Sequence, residues 1–310
     1  MSLNVLYAGR ASRWPDYETA LSEAFARAGI TAHLATDIPP DEVDYIVYAP
    51  NGPVQDFTPF TRARAVLSLW AGVEKIVGNT SLTQPLTRMV DAGLREGMVE
   101  WVAGHVLRHH LGMDAHIVNP ERVWDDRAPP LARDRRVTIL GLGTLGTACA
   151  GALAGLGFPV TGWSRSAKDV PGIRCLHGPD GLEAALRGAG IVVLLLPQTP
   201  QTENTLNATT LAMLPEGAVI LNPGRGPLID DEALLAALDS GHVGHATLDT
   251  FRVEPLPDDH PYWTHPQVTV TPHVASDTRT ATSAEVVAEN IRRNEAGAPM
   301  LYLVDRGAGY

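Results

Sequence analysis

The sequence predicts an α/β protein with two domains, each built on a parallel β-sheet. Short apolar segments alternate with amphipathic ones through most of the chain, which is the pattern of parallel strands joined by helices. One apolar segment, residues 137–140, ends in a glycine-rich motif and leads directly into a helix-forming segment. The chain has 310 residues, which is enough for two hydrophobic cores.

The first region of the chain predicts a small sheet covered by helices. A helix is predicted over residues 15–28, because Tyr17, Leu21, Phe25 and Ala28 recur at steps of three and four. The predicted strands are residues 3–8, 31–34, 44–48, 65–69 and 86–90. Together these elements predict a smaller, flavodoxin-like α/β domain over residues 1–97.

The connection to the second domain is predicted to be a helix followed by an arm. The helix covers residues 93–113, and residues 114–133 are rich in proline and charge and predict an extended arm. The second domain is predicted over residues 98–276. A last helix, residues 278–296, is predicted to return to the first domain, which residues 277–310 complete.

The second domain is predicted to be a Rossmann-type, doubly wound parallel sheet that binds a dinucleotide. Gly141 permits a tight turn, Gly143 lets the backbone approach a pyrophosphate, and Gly146 allows close helix–strand packing. Thr144 and Leu145 begin the helix, whose free N–H groups and positive dipole end suit phosphates. The predicted strands are residues 137–140, 160–163, 174–176, 192–196, 219–221, 246–248 and 268–270.

Composition argues against several classes of partner. A net charge of −11 disfavours nucleic acid and anionic membrane surfaces. No apolar run approaches the roughly 20 residues of a membrane-spanning helix, and the first residues lack the features of a signal peptide. The only cysteines, Cys149 and Cys175, fit a reducing cytoplasm. No metal site is expected, because His105 and His109 stand at helical spacing without a third ligand nearby.

Three polar side chains follow predicted strands of the second sheet. Arg225 lies in a Gly/Pro turn after one strand, Glu254 comes a few residues after the next, and His273 comes directly after the last. Each residue alone is compatible with an ordinary surface loop. Because the carboxyl ends of parallel strands line the ligand crevice, their combination predicts a catalytic site.

With these residues in place, the chain resembles the D-isomer-specific 2-hydroxyacid dehydrogenases over nearly its whole length, and within them the glyoxylate/hydroxypyruvate reductase A subgroup. The matching stretches are residues 69–73, 138–146, 163–165, 195–200, 221–226, 231–241, 248–257, 271–274 and 304–310. The resemblance implies NADPH-dependent reduction of small 2-oxo acids, glyoxylate to glycolate and hydroxypyruvate to D-glycerate. Residues 1–97 then form the substrate domain.

The resemblance also implies a role for each polar residue. Arg225 holds the substrate carboxylate and carbonyl oxygen, and His273 donates a proton to that oxygen. Glu254 orients His273 and favours its charged form. These roles suit ketone reduction, in which negative charge develops on the oxygen. Asp249 is expected near the nicotinamide.

Backbone N–H groups in the first domain are expected to bind the substrate carboxylate. The resemblance implies this role for Ala71, Gly72 and Val73. Trp70 stands where small residues are common in relatives, which bears on the size of the pocket.

The cofactor is expected to be NADPH, with NADH weaker. An acid at the end of the second strand binds the ribose 2′-OH in NAD-binding sheets, whereas here Ser164, Arg165 and Ser166 follow that strand. Arg165 can pair with a 2′-phosphate. The other residues expected at the cofactor, besides the glycine motif, are Trp163, Leu196, Pro197, Thr199, Pro223, Gly224, Asp249 and Ala275.

The resemblance further implies a homodimer in which the arm lies across the partner. Trp124, within the arm, is expected to reach the partner's active site and limit substrate size. Two alternatives stay open. One is a nicotinamide-sensing regulator without catalytic activity on the same fold, which could keep the same three polar residues. The other is a related dehydrogenase for another substrate, such as phosphoglycerate or formate.

Overall fold

A computed structural model describes residues 2–309, which form two compact units. The first unit comprises the residues up to Leu94 and those from Asp277 onward, and the second comprises Arg95–Ser276. Each unit is built on one all-parallel sheet. The predicted α/β class with two parallel sheets is therefore confirmed.

The first unit contains five strands in the order β2-β1-β3-β4-β5, which is the flavodoxin-like order. They are β1 (Leu3–Ala8), β2 (Ala32–Ala35), β3 (Tyr45–Tyr48), β4 (Ala65–Ser68) and β5 (Leu86–Thr87), and the helices are α1 (Trp14–Arg27) and α8 (Thr280–Glu295). Helices α1 and α8 cover one face through side chains such as Leu21, Phe25 and Ile291. Strand β5 is shorter than predicted, and after it the N–H of Arg88 donates to the carbonyl of Tyr302 at 3.0 Å.

The second unit contains seven strands in the order β12-β11-β10-β9-β6-β7-β8. Read from β8, this is the doubly wound order, with one additional strand, β12, at the far edge. The strands are β6 (Val137–Leu140), β7 (Val160–Ser164), β8 (Arg174–His177), β9 (Ile191–Leu194), β10 (Ala218–Asn222), β11 (Val243–Leu248) and β12 (Val268–Val270). Helix α2 (Ala92–His110) begins three residues before this unit, and the unit's other helices are α3 (Asp114–Ile117), α4 (Thr144–Gly155), α5 (Gly178–Leu186), α6 (Ala208–Leu211) and α7 (Asp231–Asp239).

Apolar layers cover both faces of the larger sheet. Val102, Val106 and Leu153 pack on one face from α2 and α4. Helices α5, α6 and α7 pack on the other face through side chains such as Leu186 and Leu234. Each fully buried aliphatic side chain of this kind contributes roughly 1.5–3 kcal/mol to folding. These layers fix the strands whose carboxyl ends carry the polar residues.

The ends of the helices follow local chemistry. The carboxylate of Asp230 accepts a hydrogen bond from the N–H of Ala233 and caps α7, as its position in the sequence indicates. The arm is not extended throughout, because its first residues form the single turn α3, which Arg108 fixes by an ion pair with Asp114 at 2.6 Å. Among the helices of residues 2–309, none is long and apolar enough to cross a membrane.

Two histidines pack against each other where α2 crosses the sheet. The rings of His109 and His245 lie 4.7 Å apart between centroids. Their Nε2 atoms lie 2.9 Å from the hydroxyls of Thr247 and Thr269 respectively. Burial, together with the nearby charge of Arg108, lowers the pKa of His109 to about 3 and that of His245 to about 4. Both rings are therefore neutral at neutral pH.

We expect this pair to make the protein less stable in mild acid. Because the pKa of each histidine is lower in the folded chain than its ordinary value of ~6.5, the unfolded chain binds protons first as the pH falls. The free energy of unfolding then decreases from about pH 6.5 downward, by at most about 1.4 kcal/mol per pH unit for each histidine. Partial exposure of the two rings reduces this amount.

Urea unfolding at about pH 7.5 and about pH 5.5 checks this expectation. The double variant His109→Gln, His245→Gln should lose less stability between the two pH values than the wild type does. Equal losses would show that the pair does not couple folding to protonation.

Candidate active site

The glycine motif forms a tight turn between β6 and α4. Gly141 has a φ of +112°, and a Cβ there would lie 2.5 Å from the carbonyl oxygen of Leu195. A Cβ at Gly146 would lie 1.8 Å from the carbonyl oxygen of Gly141. Only glycine therefore fits at either position, as the turn and the close packing require.

Gly143 faces open space instead. A Cβ there would meet no atom within 4 Å. Within the part of the chain that the structure describes, the N–H groups of Gly143, Thr144 and Leu145 donate to no protein acceptor. An exposed set of N–H donors at the start of a 12-residue helix fits the pyrophosphate of a dinucleotide.

The end of β7 is polar and cationic. Arg165, Ser166 and Lys168 are exposed there, and no acid stands between Val160 and Lys168. The Ser164 side chain is buried, and its hydroxyl donates to the carbonyl of Ser166 at 2.8 Å. The Ser164 hydroxyl therefore shapes the turn that carries Arg165 and Ser166.

Trp163, at the same strand end, is turned toward the neighbouring helix. Its indole N–H donates to the carbonyl of Gly178 at 2.8 Å. The loop after β9 is held by its own hydroxyls, because Thr202 Oγ1 donates to the carbonyl of Pro197 at 2.7 Å and accepts from the N–H of Thr199 at 2.8 Å. Leu196 is buried beneath this loop.

Glu254 and His273 form the hydrogen-bonded pair that the family resemblance implied. Glu254 Oε2 lies 2.8 Å from His273 Nδ1, and the other carboxylate oxygen accepts from the N–H of Phe251 at 2.9 Å. The histidine side chain is 48% exposed and the glutamate side chain 35%. The pair thus lies in the second unit with one imidazole nitrogen bound to the carboxylate.

His273 has an unusual backbone that Asp249 supports. Its φ is +53°, in the left-handed region that residues other than glycine rarely adopt. Asp249 is fully buried, and its carbonyl accepts from the N–H of His273 at 2.9 Å. Its carboxylate accepts from the hydroxyl of Thr271 at 2.6 Å and from the N–H groups of Val274 and Ala275 at 2.9 Å each.

These bonds give Asp249 a task that the sequence did not predict. The residue is expected near the nicotinamide. In the structure it is fully buried, and its carboxylate bonds the loop that carries His273. The sequence shows that an acidic residue directly follows β11. It cannot show which N–H groups donate to that residue's carboxylate.

Arg225 lies in a turn that Asn222 closes. The buried Asn222 side chain donates to the carbonyl of Arg225 at 2.9 Å and accepts from the N–H of Gly224 at 3.2 Å. Pro223 and Gly224 are buried, and a Cβ at Gly224 would lie 2.7 Å from the carbonyl oxygen of Leu194. We call these two hydrogen bonds of the Asn222 side chain the Asn222 clamp. Its signal in the sequence is an Asn immediately before Pro-Gly at the end of a strand.

In the first unit, the residues after β4 present unused backbone donors. Among the described residues, no protein acceptor takes the N–H of Ala71, Gly72 or Val73. The Trp70 ring lies 5.6 Å from Lys75 Nζ, and the backbone N–H of Trp70 donates to the hydroxyl of Ser68 at 3.1 Å. This pattern is compatible with the predicted binding of a carboxylate by these N–H groups.

The second unit joins a dinucleotide-type glycine turn and a carboxylate–histidine pair on one parallel sheet, which defines a nicotinamide-dependent oxidoreductase. Residues 103–275 match the family model described as D-isomer specific 2-hydroxyacid dehydrogenase, NAD binding domain. The glyoxylate/hydroxypyruvate reductase A of Yersinia enterocolitica is 38% identical over 255 residues, which are 80% of this chain and 82% of that protein. The chain belongs to the D-isomer specific 2-hydroxyacid dehydrogenase family.

Two solved structures extend the similarity to the whole chain. A D-isomer specific 2-hydroxyacid dehydrogenase from Xanthobacter autotrophicus Py2, in complex with NADPH and MES, is 39% identical with a TM-score of 0.93, and 100% of each chain is covered. An NADPH-dependent glyoxylate/hydroxypyruvate reductase from Sinorhizobium meliloti, in complex with NADP and sulfate, is 34% identical with a TM-score of 0.84, again over 100% of each chain.

Replacing Glu254 by glutamine should move the pH dependence of activity. A carboxylate beside an imidazole favours the charged ring, whereas an amide keeps the hydrogen bond without the charge. Glu254→Gln should therefore lose activity at a lower pH than the wild type as the pH rises. Glu183→Gln, which changes an exposed glutamate that pairs with Arg187, is the control. A kcat/KM profile of unchanged shape in Glu254→Gln would contradict the assigned role of the pair.

Proposed function

We propose that the protein reduces small 2-oxo acids, glyoxylate to glycolate and hydroxypyruvate to D-glycerate, with NADPH. The observation that carries this proposal is the hydrogen bond of 2.8 Å between Glu254 and His273. A histidine held by a carboxylate after a strand of a dinucleotide-binding sheet is suited to proton donation beside a hydride transfer. The names of two relatives, which state glyoxylate and hydroxypyruvate reduction, support the choice of substrate.

His273 acts as the proton donor in this proposal. Its Nδ1 is bound to Glu254, so Nε2, on the opposite side of the ring, is the nitrogen for the substrate oxygen. A nicotinamide cofactor, when bound, would supply the hydride for the carbonyl carbon. The charged imidazolium stabilises the developing alkoxide and then protonates it. Glu254 fixes the ring and favours the imidazolium.

Arg225 and the first unit bind the substrate in this proposal. The guanidinium of Arg225 offers two parallel N–H donors that match a carboxylate. The N–H groups of Ala71, Gly72 and Val73 would bind the same group from residues 1–97, the proposed substrate domain. Trp70, in place of a small residue, then favours small substrates.

NADPH is the proposed cofactor because the end of β7 carries no acid to bind a 2′-OH. Arg165 can pair with a 2′-phosphate, while Ser166 and Lys168 are exposed beside it. Gly143 and the start of α4 would bind the pyrophosphate, within the proposed dinucleotide-binding domain of residues 98–276. Two similar structures contain NADPH or NADP, which supports the same choice.

We also infer a homodimer that forms through the arm, residues 114–133. Large apolar side chains are exposed along it, with Ile117 72%, Val118 73% and Trp124 92% exposed. Burying such side chains against a second copy is favourable. Trp124 could then reach the partner's active site. Light scattering that shows a monomer at micromolar concentration would contradict both ideas.

The acidic chain and its two unpaired cysteines fit a reducing cytoplasm.

A panel of 2-oxo acids assayed with NADPH tests the function. The wild type should turn over glyoxylate and hydroxypyruvate, and His273→Ala should lose on the order of 10²–10⁴ in rate. Arg225→Ala should also be nearly inactive, because the substrate loses its carboxylate ligand. The control His33→Ala changes an exposed histidine in β2 and should keep full activity. A wild type that binds nicotinamide cofactors but turns over no 2-oxo acid would indicate a sensing regulator instead.

Cofactor preference is tested by kcat/KM with NADPH and with NADH. One hydrogen bond to a charged group is worth roughly 1.5–3 kcal/mol, which predicts a preference for NADPH of about tenfold to a hundredfold. The double variant Ser164→Asp, Arg165→Ala should reverse it. Arg174→Ala removes an exposed arginine at the amino end of the next strand and should not change it. Equal kcat/KM values for the two cofactors in the wild type would reject the assignment.

A further inference from the structure

Two loops carry Arg225 and Glu254, and their backbones touch. A Cβ at Gly226 would lie 2.0 Å from the carbonyl carbon of Phe251 and 2.4 Å from the backbone nitrogen of Arg252. Any side chain at Gly226 would therefore push the two loops apart. The relative position of the two loops therefore depends on this backbone contact and on the side chains that keep it in place.

The Arg252 side chain holds the contact closed. One of its terminal nitrogens donates to the carbonyl of Ile229 at 2.6 Å and to the side chain of Asn204. The other donates to Glu203 at 3.3 Å, and Nε lies 3.6 Å from a carboxylate oxygen of Asp231. With 30% of its side chain exposed, Arg252 is a partly buried cation with several partners.

These partners belong to the Arg225 loop and to the segment beside it. Gly226–Leu228 forms a helical turn that Arg225 begins, and the N–H of Ile229 donates to Gly226. The N–H of Asn204 donates to the carbonyl of Pro227 at 2.9 Å, so residues 203–204 are bound to the same turn. Arg252 thus ties its own loop to the turn that begins at Arg225.

The path from Arg252 to the proton donor is short. Phe251, its neighbour in the chain, donates its N–H to Glu254 Oε1 at 2.9 Å, and Glu254 Oε2 bonds His273. A shift of residues 251–252 moves the donor that orients the Glu254 carboxylate. An ordinary surface ion pair, or a side chain that only fills space, would not need to stand next to the N–H group that binds the catalytic-pair carboxylate.

We infer that Arg252 is a positioning residue, which fixes the Glu254 loop against the Arg225 turn and so sets the geometry of both groups in the reaction. The inference rests on the proposed function. It assigns no contact with substrate or cofactor to Arg252. Its effect is on alignment, and a displacement of about 1 Å in such a site can cost about a hundredfold in rate.

The test compares Arg252→Met with Arg187→Met. Arg187 is also an arginine paired with a glutamate, Glu183 at 2.7 Å, but it lies exposed at the end of α5. Arg252→Met should lower kcat/KM for glyoxylate by about tenfold to a hundredfold, with a lower kcat from the misaligned His273 and a higher KM from the displaced Arg225. Arg187→Met should behave as wild type. Equal activities of the two variants would overturn the inference.

The pH profile separates positioning from the loss of a charge. Removing a cation alone would favour the imidazolium and extend activity to higher pH. If Arg252 acts by positioning Glu254, its loss instead moves the alkaline limb to lower pH, as expected for Glu254→Gln. In the Glu254→Gln background, Arg252→Met should add little further shift. The inference would be overturned if Arg252→Met moved the alkaline limb to higher pH. It would also be overturned if the shifts caused by Arg252→Met and Glu254→Gln added fully in the double variant.

Arg252→Lys keeps the charge and covers the case in which Arg252→Met fails to fold. The guanidinium of arginine reaches Ile229, Asn204 and Asp231 from one planar group, whereas the compact ammonium of lysine cannot reach all three. This variant should therefore remain impaired. Activity equal to the wild type would show that the charge alone matters. If the wild type reduces no 2-oxo acid, the proposed function fails. If the wild type is active and the Arg252 variants match it, only this inference fails.

Discussion

The His273 backbone depends on one buried carboxylate, that of Asp249. A residue other than glycine in the left-handed region costs of the order of 1–3 kcal/mol, and such a conformation persists only where its surroundings fix it. The backbone carbonyl of Asp249 accepts from His273, and its carboxylate accepts from the two following N–H groups and from Thr271. Hydrogen bonds to a charged group contribute roughly 1.5–3 kcal/mol each, which is enough to offset the strain.

The orientation of the imidazole follows from that anchored backbone. With the loop fixed by Asp249, Nδ1 of His273 meets Glu254 at 2.8 Å. Glu254 is itself held by the N–H of Phe251, at the place where its loop packs on Gly226. Three loops after the neighbouring strands β10, β11 and β12 are therefore coupled through backbone contacts, and the parallel sheet sets their order.

An acidic protein must bind anionic ligands by local means. The chain has a net charge of −11, so its overall field repels a phosphate or a carboxylate. The residues proposed to bind these groups supply fixed donors instead. Among residues 2–309, N–H groups without a protein acceptor stand at the start of α4 and after β4, and arginines stand at positions 165 and 225. Oriented N–H groups and guanidinium forks act over short distances, where net charge matters least.

The sequence by itself determined the α/β class, the glycine turn with its requirements at Gly141 and Gly146, and the strand-end positions of Arg225, Glu254 and His273. These features are local, because periodicity, turn chemistry and position along a strand are properties of short segments. Only the tertiary structure decided which polar groups meet. The bonds of Asp249 to residues 271–275, the clamp by Asn222 and the contacts of Arg252 with residues 203–231 join segments distant in the chain. Such bonds depend on strand register and on a left-handed backbone at a histidine, and no local pattern in the sequence encodes either.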